Sequence, residues 1–190
     1  GISPDIEIVK NAIAKNIPII GEIEFASWFT KSDILAITGS NGKSTTCMML
    51  HNILLGAGYN SLLGGNIGVA FSDNVLKEID LKPGSCVHVV ELSSFQIETL
   101  KNFKSKISCI LNISEDHLDR YGSMSEYIDA KLKIVNFSEV VIYDSNDSIL
   151  KDRVGDLSHS KEVDSISSLY RISNRYIYNK KKSMFSLDEM

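Results

Sequence analysis

Residues 38–45, "TGSNGKST", lie between the apolar run "ILAI" and the helix-periodic stretch "TCMMLHNILL". A chain that ends a strand at Thr38-Gly39, turns through Ser40-Asn41-Gly42 and enters a helix at Lys43 commits to a strand–loop–helix unit. Such a unit needs neighbouring strands to bury its faces. "CVHVVEL" and "KISCILNI" supply them, because they are apolar nearly throughout, as strands covered by helices on both sides must be. The spacing predicts strands over 34–38, 86–92, 107–113 and 139–143, helices over about 43–57, 69–79 and 124–137, and a glycine-rich turn at "LLGGNIG". The expected fold class is therefore α/β: a mostly parallel sheet with helices on both faces. Beyond Asp144, "LYRISNRYIYNKKKSMFSL" alternates around central turn residues and predicts an antiparallel hairpin at the sheet's edge.

Residues 1–31 read differently. "IEIVKNAIAK" and "EIEFASWF" have helical spacing and "IPIIG" that of a short strand, a set too small to bury its own faces. It is expected to be the tail of a preceding domain, with the main domain running from 32 to 190. The net charge of −4 offers no basic field for nucleic acid, and Lys180–Lys182 are expected to decorate a turn. No apolar stretch approaches the roughly 20 residues needed to span a bilayer. Cys47, Cys86 and Cys109 are scattered in apolar runs and read as buried thiols of a reducing compartment, the cytoplasm.

The loop's composition points to a phosphate. Several backbone N–H groups converge beside the positive end of a helix dipole, Gly39 and Gly42 permit the backbone angles, and Lys43 can reach phosphate oxygens. The Ser44 hydroxyl is placed for a magnesium ion. Ile37 stands where the common G-x-x-x-x-G-K-S/T pattern has its first glycine, so this is a G-x-x-G-K-S-T variant. A triphosphate site needs a carboxylate for its metal, and Glu91, ending "CVHVVE", should emerge at the carboxyl edge of the sheet beside the loop. The next strand leads to "SEDHLDR", bringing Asp116, His117 and Asp119 to the same rim; from spacing alone His117 is as well explained as a structural residue. His51, His88 and His159 read as core or surface residues. On the 124–137 helix, Met124, Tyr127, Ile128, Ile134 and Val135 share one arc with Lys131 in its middle. A lysine there must snorkel, pair with an acid or lose its charge; a desolvated amine can also add CO₂ to become a carbamate.

Together, "ITGSNGKSTT", "GGNIG", "VVELSSFQIETL", "LNISEDHLDRYGSMSEYIDAKLKI" and "ISPDI…PIIGEIEF" resemble the Mur ligases of peptidoglycan synthesis over about residues 1–145. "ELSSFQ" and "GEIE" are most similar to the D-glutamate-adding branch. Folylpolyglutamate synthases resemble the loop but differ after its lysine. The resemblance implies an ATP-dependent ligase acting on UDP-N-acetylmuramoyl-L-alanine and D-glutamate. It also implies a phosphate site made by Gly39, Ser40, Asn41, Gly42, Lys43, Ser44 and Thr45, with Asn66 and Ser93 facing substrate or phosphates. Two Mg²⁺ ions would be held by Ser44, Glu91, His117 and a carbamylated Lys131. The family's C-terminal Rossmann-like domain has no counterpart in these residues, so the chain alone is expected to bind nucleotide and to catalyse little. Three other readings stand beside it: another amide ligase of the Mur or folylpolyglutamate synthase type, a noncatalytic ATP-binding module, and a GTPase-like switch, for which the N-K-x-D guanine motif is absent.

Overall fold

A computed structural model describes residues 6–115, 120–158, 160–163, 170–173, 176–179 and 182–186. Two helices come first, α1 (Glu7–Ala14) and α2 (Glu22–Ser27). The segment between them, where "IPIIG" predicts a strand, is irregular and mostly exposed, with no strand to pair with among the described residues.

The main domain then alternates: β1 (Asp33–Thr38), α3 (Lys43–Gly56), β2 (Ser61–Gly65), α4 (Phe71–Leu81), β3 (Val87–Glu91), α5 (Ser94–Glu98), β4 (Ser105–Ile110), α6 (Met124–Leu132), a 3₁₀ turn (Lys133–Phe137), β5 (Ser138–Asp144), α7 (Ser148–Val154) and β6 (Ser160–Val163). The six strands form one sheet in the order β2-β3-β1-β4-β5-β6, and every pairing in it is parallel. The period-2 alternation of strands distributes the core between two faces. Ile34, Ala36, Val90 and Leu92 pack with Phe71, Val75, Ile97 and Tyr127 in the larger cluster. Ile37 and Val89 pack with Cys47 of α3 in the smaller one.

Three expectations change. The glycine-rich "LLGG" is an edge strand, β2, not a turn; its Gly64 lies so close to α4 that a Cβ would meet Asn74 Nδ2 and Val69 O, each at 2.6 Å. The 124–137 helix tightens into a 3₁₀ turn after Leu132, where β-branched Ile134 and Val135 are buried. Beyond Asp144 the chain first adds α7, started by the Asp147 carboxylate accepting from Ile149 N and Leu150 N, and a sixth parallel strand. The alternating C-terminal segment is a separate antiparallel sheet of three strands, β7 (Tyr170–Ser173), β8 (Tyr176–Asn179) and β9 (Lys182–Ser186), in place of a hairpin on the main sheet's edge. Of the lysine triplet, Lys182 opens β9, while Lys180 and Lys181 lie outside the described residues, as does His159. All three thiols are free, as expected; Cys47 and Cys86 are buried, whereas Cys109 is only half-buried. Among the described residues, no helix is long and apolar enough to cross a membrane.

Candidate nucleotide site

β1, β3 and β4 end at one rim because their registers are parallel: Ile37 lies opposite Glu91, and Thr38 opposite Ile110. The loop of residues 39–42 leaves β1 at this rim. Gly39 has φ 151° and packs so tightly on the β4 exit that a Cβ would stand 3.0 Å from Leu111 Cβ; Gly42, at φ 81°, is the left-handed residue that starts α3.

The loop is held from beneath by the segment following β4. Ser40 N donates to Asn112 O (3.0 Å), Asn41 N to Asn112 Oδ1 (2.9 Å), and Asn112 Nδ2 to Asn41 O (3.1 Å). Two of the amides expected to face phosphate are thus already occupied. The Ser40 side chain also turns inward, onto Ser114 and Tyr127. Apart from the amide of buried Gly39, the donors that remain are those of Gly42, Lys43, Ser44 and Thr45: the first backbone amide of α3 with an intrahelical-type acceptor is Thr46 N, to Gly42 O (3.0 Å). Among the described residues none of those four has a hydrogen-bond acceptor. The Ser44 and Thr45 side chains are exposed beside them. Lys43 folds back over the loop, its Nζ donating to Gly39 O (2.9 Å) and Ser40 O (2.8 Å), which leaves one of its three N–H bonds for a ligand.

Glu91 is 2% exposed at the end of β3. Its Oε1 accepts from Asn66 Nδ2 (2.8 Å), and its Oε2 is buried with no hydrogen-bond partner among the described residues. Asn66 is fixed in turn by its own N–H on Glu91 O (2.9 Å), a contact allowed by the close approach of Gly65 to that carbonyl. Glu91 and Lys43 both act on Cys47: burial above all, with the charges of Glu91 and Cys109 added, pushes its thiol up to about 12 against the opposing pull of Lys43. That cysteine is a packing group under the loop.

Lys131, 2% exposed, reaches the same loop from α6, its Nζ donating to Gly39 O (2.9 Å) and standing 4.9 Å from the Tyr127 ring centre. The apolar-arc reading of α6 holds: Tyr127 and Lys131 are its buried residues. Lys43, Glu91 and Lys131 thus meet at one rim. Ser93 is close in sequence to Glu91 but caps α5, accepting from Gln96 N (3.3 Å). Asp116, His117 and Asp119 lie outside the described residues.

The model of the Mur ligase middle domain matches residues 37–187. The chain belongs to the Mur ligase family. A UDP-N-acetylmuramoylalanine–D-glutamate ligase from Pseudoalteromonas translucida is 40% identical over 88% of this chain and 35% of its own length. One of the same name from Buchnera aphidicola is 40% identical over the whole chain and 44% of its own length. The chain therefore spans well under half the length of these relatives. Among solved structures, a UDP-N-acetylmuramoyl-L-alanyl-D-glutamate–2,6-diaminopimelate ligase superposes with a TM-score of 0.62 at 16% identity, over 92% of this chain and 40% of that one. The MurF ligase from Thermotoga maritima in complex with ADP gives 0.59 at 17% identity, over 96% and 44%. At those identities the likeness shows the fold: a Mur ligase middle domain.

Within this Mur ligase domain the donor set fits a triphosphate and a divalent cation. Four unclaimed N–H groups and a lysine N–H suit phosphate oxygens, and a buried carboxylate oxygen without a donor suits a hard cation, which prefers oxygen ligands. Sequence reasoning missed Asn112, Ser114 and Tyr127. The only signal available for the first two was the appearance of polar residues in "LNIS" directly after an apolar strand.

Proposed function

We propose that this chain is the ATP-handling middle part of a longer cytoplasmic ligase that joins D-glutamate to UDP-N-acetylmuramoyl-L-alanine in peptidoglycan synthesis. The observation that carries the reading is the row of unclaimed amides from Gly42 to Thr45 at the same rim as the open Oε2 of Glu91. Relatives named for that activity at 40% identity support the choice of substrates.

In the reaction the alanine carboxylate oxygen attacks the γ-phosphorus of ATP, the bond to the ADP oxygen breaks, and an acyl phosphate forms. The D-glutamate amine then attacks the acyl carbon, and phosphate leaves from the tetrahedral adduct as the amine loses a proton. The first step sets two anions together, a repulsion of roughly 4 kcal/mol for unit charges at 4 Å and an effective dielectric near 20. The chain opposes it with the amides at the α3 N-terminus and with Lys43, whose third N–H points charge at the transferring group without spending its loop contacts. Ser44 and Glu91 would hold one Mg²⁺, and His117 with Lys131 a second. Bound there, the metals supply charge neutralisation on the phosphoryl oxygens.

Glu91 is oriented for its role by Asn66. Lys131 enters as a carbamate: its buried amine adds CO₂ and releases a proton, turning a cation into an anion. The nitrogen keeps one N–H, so the bond to Gly39 O survives the modification. This replaces one of two ammonium groups that share the Gly39 carbonyl.

Titration calorimetry of the chain with ATP and Mg²⁺ is expected to give saturable, magnesium-dependent binding, and a flat isotherm overturns the nucleotide reading. A longer polypeptide containing this chain, given UDP-N-acetylmuramoyl-L-alanine and ATP, is expected to consume D-glutamate; preference for another amino acid moves it to a different branch of the Mur ligases. Labelled ¹³CO₂ should give a carbamate resonance that disappears in Lys131→Arg.

A further inference from the structure

We propose that Tyr127 is a positioning residue for the phosphate loop, acting through the Ser40 hydroxyl; the proposal rests on the reading of residues 38–45 as a triphosphate site. Ser40 is 7% exposed, and its Oγ meets three polar groups: Ser114 O at 3.0 Å, Ser114 N at 2.9 Å and Tyr127 OH at 2.9 Å. A hydroxyl has one proton and two lone pairs. The Ser114 carbonyl can only accept, so Ser40 donates to it. The Ser114 amide can only donate, so it takes one lone pair. The second lone pair is left for Tyr127, which therefore donates its O–H to Ser40.

This accounting uses every hydrogen-bonding capacity of the Ser40 side chain, and the Ser40 amide is already on Asn112 O. Ser40 therefore lies in the loop without offering phosphate either its hydroxyl or its N–H. Its role is that of a bolt. Tyr127, wholly buried, turns the bolt from α6, and Lys131, one helical turn further on, grips the adjacent Gly39 carbonyl. Two consecutive loop residues are thus held by two residues on one face of α6, while Asn112 and Ser114 hold the loop from the β4 side. What this clamp leaves outward is the amide row from Gly42 to Thr45. Binding of a triphosphate there gains by not having to order the loop, the usual benefit of preorganised donors.

Tyr127→Phe removes only the O–H and keeps the ring, its packing and its contact with Lys131. Calorimetry of the chain with ATP and Mg²⁺, run well below the melting temperature, is expected to show binding weakened about two- to tenfold, the worth of one net hydrogen bond. Ser40→Ala should weaken it comparably, and the double variant no more than the larger single effect. A merely structural tyrosine would lower the melting temperature and leave the dissociation constant alone, and that result overturns the proposal. Additive losses in the double variant overturn it as well. Should Tyr127→Phe fail to fold, Ser40→Ala decides by itself: weakened binding supports the clamp and unchanged binding refutes it. If the unaltered chain binds no nucleotide, the triphosphate reading falls and the clamp with it, whereas equal binding by both chains removes the clamp alone.

Discussion

Glu24 and Glu78 are buried near the edge of the sheet where its strands begin; Glu91 is buried at the edge where they end. At the first edge every carboxylate oxygen has two donors. Glu24 Oε1 accepts from Asn102 N and Trp28 Nε1, and its Oε2 from Lys101 N and Phe103 N, all within 3.1 Å. Glu78 Oε1 accepts from Lys31 N and Gly84 N, and its Oε2 from Thr30 Oγ1 and His88 Nε2. At the other edge Glu91 has one oxygen on Asn66 and one with no donor among the described residues. A buried carboxylate that closes its own shell is a latch, and each of these two ties together segments that enter strands: Glu24 joins α2 to the approach to β4, and Glu78 joins α4 to the approaches to β1 and β3. A buried carboxylate left open costs stability unless something else fills it. The contrast separates what holds the sheet together from what the sheet holds out to a ligand.

If that division is right, changes at the first edge act on stability and spare binding. The largest effect expected is for Glu24→Ala, which removes the acceptor of three backbone N–H groups; at about 1–3 kcal/mol for each one left unsatisfied, and with Lys101 and Asn102 exposed enough for water to replace part of what is lost, the loss should lie at the lower end of the sum, about 3–5 kcal/mol, read from the urea midpoint. A loss under about 1 kcal/mol would mean that the latch is decorative. Next comes acid. Burial raises the Glu78 pKa, but the hydrogen bonds from His88, Thr30, Gly84 and Ser32 together outweigh it and hold the group at about 2. A depressed carboxylate contributes stability above its unfolded pKa and loses it as pH falls towards the folded value. Between the ordinary value of 4.5 and about 2 this amounts to about 3 kcal/mol. His88 acts in the same direction: burial lowers its pKa in spite of Glu78, so the folded state loses stability as pH drops below the usual 6.5. Melting temperatures should therefore fall from near pH 6.5 downward and more steeply below 4.5, and Glu78→Gln should start lower and flatten that acid limb.

The two edges also differ in how far the sequence reveals them. The loop could be read because its chemistry is local: "GSNGKST" carries its glycines, lysine and hydroxyls in consecutive positions, and the apolar runs on either side fix where the rim must be. Lys131 was legible because a 3.6-residue period leaves one cation in an apolar arc. The inward turn of Ser40 was not, since its partners Ser114 and Tyr127 lie 74 and 87 residues away and nothing local distinguishes it from a phosphate contact. β2 escaped notice because its glycines serve close approach to α4 and to Glu91, and glycine is otherwise a turn signal. The latches share the first difficulty, their donors being main-chain groups 77–79 residues from Glu24. α7 and β6 were lost because a short polar-started helix and a short edge strand carry little periodicity.

At the carboxyl edge the pattern should invert, with binding lost and stability kept. Lys43→Ala is expected to weaken MgATP binding about 100-fold, in line with removing a charged hydrogen bond from a phosphate in a partly buried site. Thermal melting should move much less, since Gly39 O keeps Lys131 Nζ as a donor when the Lys43 side chain is removed.

Glu91→Gln makes the smallest and most discriminating change. The amide keeps an oxygen for Asn66 and replaces the open carboxylate oxygen with a neutral NH₂, exchanging a buried charge for a neutral group, so the melting temperature should not fall. Binding of ATP should weaken only in the presence of Mg²⁺, by about tenfold, because a neutral amide is a poorer ligand for a hard cation than a carboxylate. Measured with EDTA, the variant and the unaltered chain should bind ATP alike. A variant that melts lower while keeping its magnesium dependence would show that Glu91 is a third latch, and the contrast between the two edges would be lost.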